Sequence, residues 1–409
     1  MKLRVAAALA VATVLLVGCT SAPPATTTTT VPAEPVDTTL PVVPTSTTTT
    51  VIAPPATATV PVMPPPEPAA DPGPPAAGLP APEGSRGVAI VAAGGAALRD
   101  TLSGDVTVRA REGLPMPVTG REGSWFRLLT PCDTEAWVNS AEVRFVPSNT
   151  IVADSIESAV IVLDPGHGGP NRGATGPTGL AEPEVNLDIA RRARDLLNGS
   201  WDIDWRTGAV VAGSSYGPAA AVWMTRAEGP PGADYEAGLL FRATFAEMAG
   251  AEALVSIHNN AEPDGPFDGP GSEAYYSIRD SESRRLAGLM VEEFRREFAS
   301  FDVDWVGDTD AGAKYRLNDA GGDYYGVIRM STVPVVIAEG AFISSPAEED
   351  LLRTSAFRQA YAEAVYRALV RFTSTDDLGS GFTDPYPRTI PSGSGAPLPT
   401  CRVPEQPAS

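Results

Sequence analysis

Short, uninterrupted apolar runs that alternate with amphipathic stretches constrain this chain more than any other feature. The runs are Ala159-Val160-Ile161-Val162-Leu163, Ala253-Leu254-Val255-Ser256-Ile257 and Val333-Pro334-Val335-Val336-Ile337-Ala338, with Glu273-Ala274-Tyr275-Tyr276 as a fourth. Each has strand length, and the segments between them space their apolar residues as helices do. The first helix opens near Glu182 with Pro183 in its first turn. Val185, Ile189, Ala193 and Leu196 share a face, and Asn198-Gly199 closes it. A second helix carries Ala237, Phe241, Phe245 and Met248, and a third Leu286, Met290, Phe294 and Phe298. The last begins at Ser345-Pro346-Ala347-Glu348, a capping-box pattern, and continues through Phe357, Tyr361, Val365 and Leu369. Residues 157–374 therefore read as an α/β unit, an open, mostly parallel sheet flanked by helices on both faces. Ligands of such sheets sit beyond the carboxyl ends of the strands.

The chain has two histidines, and both fall at such ends. His167 follows the first run in Asp164-Pro165-Gly166-His167-Gly168-Gly169. His258 ends the second and precedes Asn259-Asn260. Glu182, at a helix start, adds a carboxylate. Two imidazoles and one carboxylate are the three-ligand set of a catalytic zinc that keeps a position open for water. Taken singly, each residue has an ordinary reading: a loop histidine, or an acid favoured by a helix dipole. The combination is what points to a metal. Glu339 ends the third run, where an unpaired acid is costly unless it has a task or a salt-bridge partner. Asp164 is placed to orient the histidine loop.

The flanks differ in kind. Lys2, Arg4, the apolar stretch 6–17 and Leu16-Val17-Gly18-Cys19 resemble a bacterial lipoprotein signal over 1–19, with Cys19 as the lipidated residue. A plain secretory signal is the alternative, and both imply export, to the outer membrane face or wall as a lipoprotein or otherwise as a secreted protein. Acyl chains on Cys19 would hold the protein to the bacterial membrane. Residues 20–85 are Thr, Pro, Ala and Val with runs such as 27–30 and 47–50, a composition that cannot offset chain entropy and reads as a disordered stalk. Residues 86–150 read as short strands separated by turns, a small all-β barrel. Within it, Gly123-Ser124-Trp125-Phe126-Arg127-Leu128 and Ala136-Trp137-Val138-Asn139 resemble the second half of a bacterial SH3-like domain, with Ala136 where that family has Gly. Trp125 and Trp137 are then core residues, or else line a groove for wall material. Residues 375–409 form a Pro/Gly-rich tail poor in core-forming residues.

With 50 acidic against 30 basic residues, the formal net charge is −20. That argues against nucleic acid as a partner, because phosphate binding needs a cationic surface. Of three cysteines, lipid on Cys19 leaves Cys132 and Cys401 as an even pair in an oxidising compartment. An intramolecular disulfide is expected, the alternatives being free thiols or pairing between molecules.

The α/β unit is similar to the zinc-dependent N-acetylmuramoyl-L-alanine amidases of the Amidase_3 type. The resemblance rests on Asp164-Pro165-Gly166-His167-Gly168-Gly169, Gly179-Leu180-Ala181-Glu182-Pro183-Glu184-Val185-Asn186-Leu187, Val255-Ser256-Ile257-His258-Asn259-Asn260 and Ala338-Glu339-Gly340-Ala341-Phe342-Ile343-Ser344-Ser345-Pro346. It implies that His167, Glu182 and His258 bind Zn2+ and that Glu339 is catalytic. The spacing to Asn186-Leu187 selects Glu182 over Glu184. Thr225-Arg226 and Arg242 also match family positions, in roles that include purely structural ones. Asn259, Ser345 and a Gly/Ala-rich insertion between Asn198 and Val222 depart from the pattern without touching a ligand.

The resemblance further implies peptidoglycan as the substrate, cut between N-acetylmuramic acid and the L-alanine of the stem peptide. Zinc would polarise the carbonyl and activate water, with Glu339 moving the proton. Two other readings are a zinc peptidase acting within the stem and a non-catalytic wall-binding lipoprotein. Related amidases can carry a helix that plugs the site. No long amphipathic insertion follows His258, where Pro263, Gly265, Pro266 and Gly269 read as an open loop.

Overall fold

The computed structural model describes residues 86–226, 235–383 and 401–407. The expected signal (1–19), the stalk (20–85) and residues 384–400 of the tail lie outside the described residues. All described residues fall in one compact unit, Pro65–Ser409.

Seven short strands come first: β1 Gly87–Val91, β2 Ala96–Arg99, β3 Val106–Ala110, β4 Pro115–Glu122, β5 Trp125–Leu129, β6 Glu135–Asn139 and β7 Val143–Pro147. They form one antiparallel sheet in the order β3-β2-β6-β5-β4-β1-β7. Gly123, at φ +55°, opens the two-residue turn between β4 and β5, where any other residue would be strained. In β6, Ala136 and Val138 point inward while Glu135 is exposed, the alternation of a half-buried strand.

The α/β unit follows: β8 Val160–Pro165, α1 Glu182–Leu197, β9 Trp201–Ile203, β10 Val210–Ala212, β11 Ala221–Met224, α2 Leu239–Ala249, β12 Ala253–Asn260, β13 Gly265–Pro266 and β14 Glu273–Tyr276. It continues with α3 Ser281–Phe298, β15 Val306–Gly307, β16 Ala313–Lys314, α4 Gly326–Met330, β17 Val335–Phe342, α5 Pro346–Arg353 and α6 Ser355–Ser374. Its main sheet has the order β11-β8-β12-β17-β14-β16. Every neighbouring pair is parallel except β14–β17, so the sheet is mixed. Successive residues of β8 face opposite ways. Ile161 and Leu163 join α1, α3 and α6, whereas Val160 and Val162 join Phe241 and Phe245 of α2. Burial on both faces explains why these strands are continuously apolar.

Three expectations change. The helix expected to run unbroken from Ser345 is two helices, α5 and α6, broken at Thr354, whose side chain accepts from Phe357 N and starts the second. The capping box is also half formed. Ser345 Oγ accepts from Glu348 N at 3.5 Å, but the Glu348 carboxylate turns away to accept from Val306 N at 2.9 Å and Phe342 N at 2.7 Å. The tail contributes more than its composition indicated. Thr383 N donates to Ala313 O at 3.0 Å and Ala313 N to Gly381 O at 2.9 Å, so this stretch extends the edge of the main sheet beyond the boundary placed at 374. Residues 401–407 return to β3, where Gln406 N donates to Arg109 O at 2.9 Å and Arg111 N to Pro404 O at 2.9 Å. Cys132 and Cys401 form a disulfide with their Cα atoms 5.5 Å apart.

Candidate active site

β8, β12 and β17 lie side by side, so the loop after β8, the end of β12 and the end of β17 converge on one point. His258 and Glu339 stand opposite each other in the register of β12 and β17. Tyr361 of α6 ties these strands together there, with its Oη 2.9 Å from both His258 O and Ala338 O. Gly340 makes room for that ring, since an added Cβ would meet it at 2.2 Å.

His167 leaves β8 in the left-handed region, φ +62°, a rare backbone state for a residue with a side chain. Two buried arginines hold it there. Arg242 Nη2 donates to His167 O at 3.1 Å, and Arg226 donates to Pro165 O at 2.9 Å and to Pro183 O at 2.8 Å. Asp164 hydrogen-bonds neither imidazole. It accepts from Arg242 Nη1 at 2.6 Å, Ser256 Oγ at 2.6 Å and Thr225 Oγ1, and so orients the loop through Arg242. Burial opposes ionisation of Asp164, but Arg242 and the two hydroxyls outweigh it and hold its carboxyl below the usual range.

Glu182 occupies the first position of α1, and its carboxylate lies between the imidazoles. Its Oε2 is 3.1 Å from His167 Nε2 and its Oε1 is 3.0 Å from His258 Nδ1. Ala174 N, Asn186 Nδ2 and Asn259 N donate to the same carboxylate at 2.8, 3.1 and 3.2 Å, so Asn259, expected to stay clear of the candidate ligands, touches one through its backbone. Burial works against its charge, yet the hydrogen bonds and charges of the two imidazoles prevail and hold Glu182 well below the ordinary carboxylate range. His258 moves down, because burial and the neighbouring His167 outweigh the attraction of Glu182. Side-chain exposure rises from 3% at Glu182 to 18% at His258 and 25% at His167, so the cluster opens to solvent on the imidazole side.

The three ligand atoms lie within 4.8 Å of one another. Their chemistry and spacing suit a divalent cation bound by two imidazoles and a carboxylate. Glycine keeps the space clear. A Cβ on Gly173, φ +54°, would lie 2.4 Å from Glu182 Oε2 and 2.5 Å from His167 Cδ2. A second acidic group, Glu273, Asp308 and Asp310, also has ligand-like spacing. There Lys314 Nζ already supplies the positive charge, 2.6 Å from Glu273 and 2.8 Å from Asp310.

Glu339 has a different character. Its Oε2 is sequestered from solvent and has no hydrogen-bond partner among the described residues. Burial, then the negative charges of Glu182 and Glu273, push its pKa well above the carboxylate range, with only Lys314 opposing. Glu273 stands opposite Glu339 in the β14–β17 register and is held by Lys314, by Asn260 Nδ2 at 2.9 Å and by Tyr275 Oη at 2.6 Å.

The structure thus gathers His167, Glu182, His258 and Glu339 at the strand ends. It adds residues that sequence reasoning passed over. Asn171 Oδ1 lies 3.0 Å from His167 Nδ1, and Glu236 Oε1 accepts from Asn171 Nδ2 at 2.7 Å. Asn171 sits four residues past His167 in the glycine-rich loop, which is a weak local signal. Glu236 is 65 residues further on and gives none.

Comparison with known proteins gives this arrangement a family. Residues 161–204 and 214–371 match the Amidase_3 model, described as N-acetylmuramoyl-L-alanine amidase. The unmatched gap falls within the expected insertion. The N-acetylmuramoyl-L-alanine amidase AmiC of Neisseria meningitidis serogroup B is 28% identical over 243 residues, 54% of this chain and 54% of its own length. The N-acetylmuramoyl-L-alanine amidase LytC of Bacillus subtilis is 30% identical over 230 residues, 55% of this chain and 38% of its own length. The chain therefore spans about half or less of these two curated relatives. Among solved structures, an N-acetylmuramoyl-L-alanine amidase from Clostridium difficile 630 aligns at TM-score 0.41 and 23% identity, covering 54% of this chain and 99% of that one. The α/β unit of this chain belongs to the Amidase_3 family.

Proposed function

We propose that this protein is an exported, zinc-dependent N-acetylmuramoyl-L-alanine amidase that hydrolyses the amide between N-acetylmuramic acid and the L-alanine of the peptidoglycan stem. The observation that carries the reading is the convergence of two imidazoles and one carboxylate within 4.8 Å, beside a sequestered carboxylate oxygen with no hydrogen-bond partner among the described residues.

His167, Glu182 and His258 would hold the metal. Zinc bound by them supplies polarisation of the amide carbonyl and a more acidic water. The Glu339 carboxylate takes the proton from the attacking water and returns it to the departing nitrogen. Its raised affinity for a proton suits a group that must first accept and then donate. A serine or cysteine nucleophile would need a histidine base beside it, and among the described residues neither imidazole hydrogen-bonds a serine hydroxyl or a cysteine thiol. Glu182 stays ionised as a ligand while Asn186, Asn259 and Ala174 fix its orientation.

Export and lipidation at Cys19 are supported by the charged, apolar and Leu-Val-Gly-Cys order of residues 2–19. The Cys132–Cys401 disulfide suits the same oxidising compartment. Among the described residues no helix is long and apolar enough to cross a membrane. The reading of 86–150 as SH3-like is supported by its two Trp-containing strands, β5 and β6, paired side by side. Digestion of purified wall, with and without a chelator, followed by mass analysis of the fragments, tests the activity. Stem peptides with a free L-alanine amine, released only without chelator, are the expected product. Cleavage inside the stem would replace this reading with a peptidase, and intact wall would replace it with a binding role.

A further inference from the structure

The outer face of His167 rests on Asn171, whose Oδ1 is 3.0 Å from His167 Nδ1. An amide has one accepting end and one donating end, and the end that faces the ring decides which ring nitrogen carries the proton. That choice is made one residue further out. Asn171 Nδ2 donates to Glu236 Oε1 at 2.7 Å, and a carboxylate only accepts. Gly173 N donates to Asn171 Oδ1 at 3.2 Å, marking the same end as the acceptor. With Nδ2 committed to Glu236, Oδ1 faces the imidazole and the proton sits on Nδ1. The Nε2 lone pair then points towards Glu182 Oε2, 3.1 Å away. Two lone pairs facing each other at that distance call for a proton or a metal cation between them, and His258, as a third donor in the same cluster, suits the metal.

The backbone that carries Glu236 is fixed from several sides. Tyr235 Oη donates to Thr225 O at 2.9 Å, and Gly238 N donates to Pro131 O at 2.7 Å. Cys401 Sγ lies 3.8 Å from Glu236 O. Gly169 of the histidine loop packs so closely that an added Cβ would stand 2.8 Å from Glu236 N.

We propose that Glu236 is a positioning residue of the metal site: through Asn171 it keeps the proton of His167 on Nδ1 and leaves Nε2 free for a divalent cation. This rests on His167 being a zinc ligand, and the test separates the two claims. Zinc affinity of the full chain is measured by competition with a chromophoric chelator. Failure of the unmodified protein to bind zinc would remove the metal site itself.

Given binding, near-isosteric Glu236→Gln lets the Asn171 amide turn over and should weaken zinc about tenfold. In an Asn171→Ala background the same change should have no further effect. The exchanged pair Asn171→Asp/Glu236→Gln should regain most of the loss, because the new carboxylate accepts from both the ring and the amide. Unchanged affinity in folded Glu236→Gln, or an equal loss without Asn171, would overturn the proposal. One measurement needs no variant. Nitrogen-15 spectra of the zinc-loaded protein contain only two imidazoles, and must show His167 bound through Nε2 with its proton on Nδ1. The opposite tautomer would overturn the proposal.

Discussion

Glu182 and Glu339 are the same side chain in one small site, driven in opposite directions by what surrounds them. Glu182 has three hydrogen-bond donors besides the imidazoles and is held ionised. Glu339 has a sequestered oxygen, two negative neighbours and a single cation in opposition, and is pushed towards its protonated form. Environments that part the pKa values of two carboxylates in this way suit the division proposed above, Glu182 as metal ligand and Glu339 as proton carrier. Replacing Glu339 by Gln keeps the shape and removes the proton acceptor. Hydrolysis of purified wall by Glu339→Gln should fall about 10²- to 10⁴-fold while the zinc content measured by elemental analysis stays that of the unmodified protein. Joint loss of zinc and activity would make Glu339 a structural residue. The four central residues were legible because histidine is scarce here and an acid at the end of an apolar strand is conspicuous. The left-handed backbone of His167 and the support of Asn171 by Glu236 were not, because Arg242 and Glu236 are remote from that loop in sequence, and Asn171 within it gives only a weak local signal.

Helix ends show where local reading stops. α1 opens and closes where Pro183 and Asn198-Gly199 place its ends, since those signals lie within or beside the helix itself. α2 is different, because Gly238 at its N-cap offers no side chain. Asp133, from the loop between β5 and β6, supplies the cap instead, accepting from Phe241 N at 2.7 Å and Leu240 N at 3.4 Å. Asp133→Ala should therefore lower unfolding stability by about 1 kcal/mol, read by urea titration, with Asp133→Asn milder. An unchanged midpoint would mean that water replaces the cap.

At the start of α5, burial outweighs two backbone N–H donors and pushes Glu348 up to about 7 from 4.5. Between those values the folded state keeps a proton that the unfolded chain has released, so stability falls as pH rises through that window. The penalty, complete above about pH 7, is on the order of 3 kcal/mol. Glu348→Gln removes that slope, and its stability relative to the unmodified protein should improve between about pH 5 and pH 8. A difference that does not vary with pH would refute the shift.

The molecule joins what its sequence presents as separate blocks. Val160, Val162 and Leu254 of the main sheet share one apolar cluster with Phe241 and Phe245 of α2 and with Leu98, Met116 and Val118 of the antiparallel sheet. Compositional breaks mark linkers well but say little about docking, because docking depends on which faces of strands and helices remain uncovered. The C-terminal stretch was hardest to read. Its residues 401–407 add hydrogen bonds along β3 and bring Val403 to the same cluster, while Cys401 bonds to Cys132 beside the loop that caps α2.

At a sequence separation of 269, these cysteines close a long loop, which in the chain-entropy model is worth on the order of 5 kcal/mol, although measured values often fall below it. The bond anchors the short stretch 401–407, a strap laid along β3, so its loss should act locally before it acts globally. In Cys401→Ser, hydrogen exchange at Arg111 and Gln406, whose amides bridge the strap and β3, should accelerate by orders of magnitude. Amides of β12 and β17, deep in the main sheet, should keep their protection. Equal acceleration in both places would show that the bond supports the whole molecule. No acceleration at Arg111 would show that the strap holds without it.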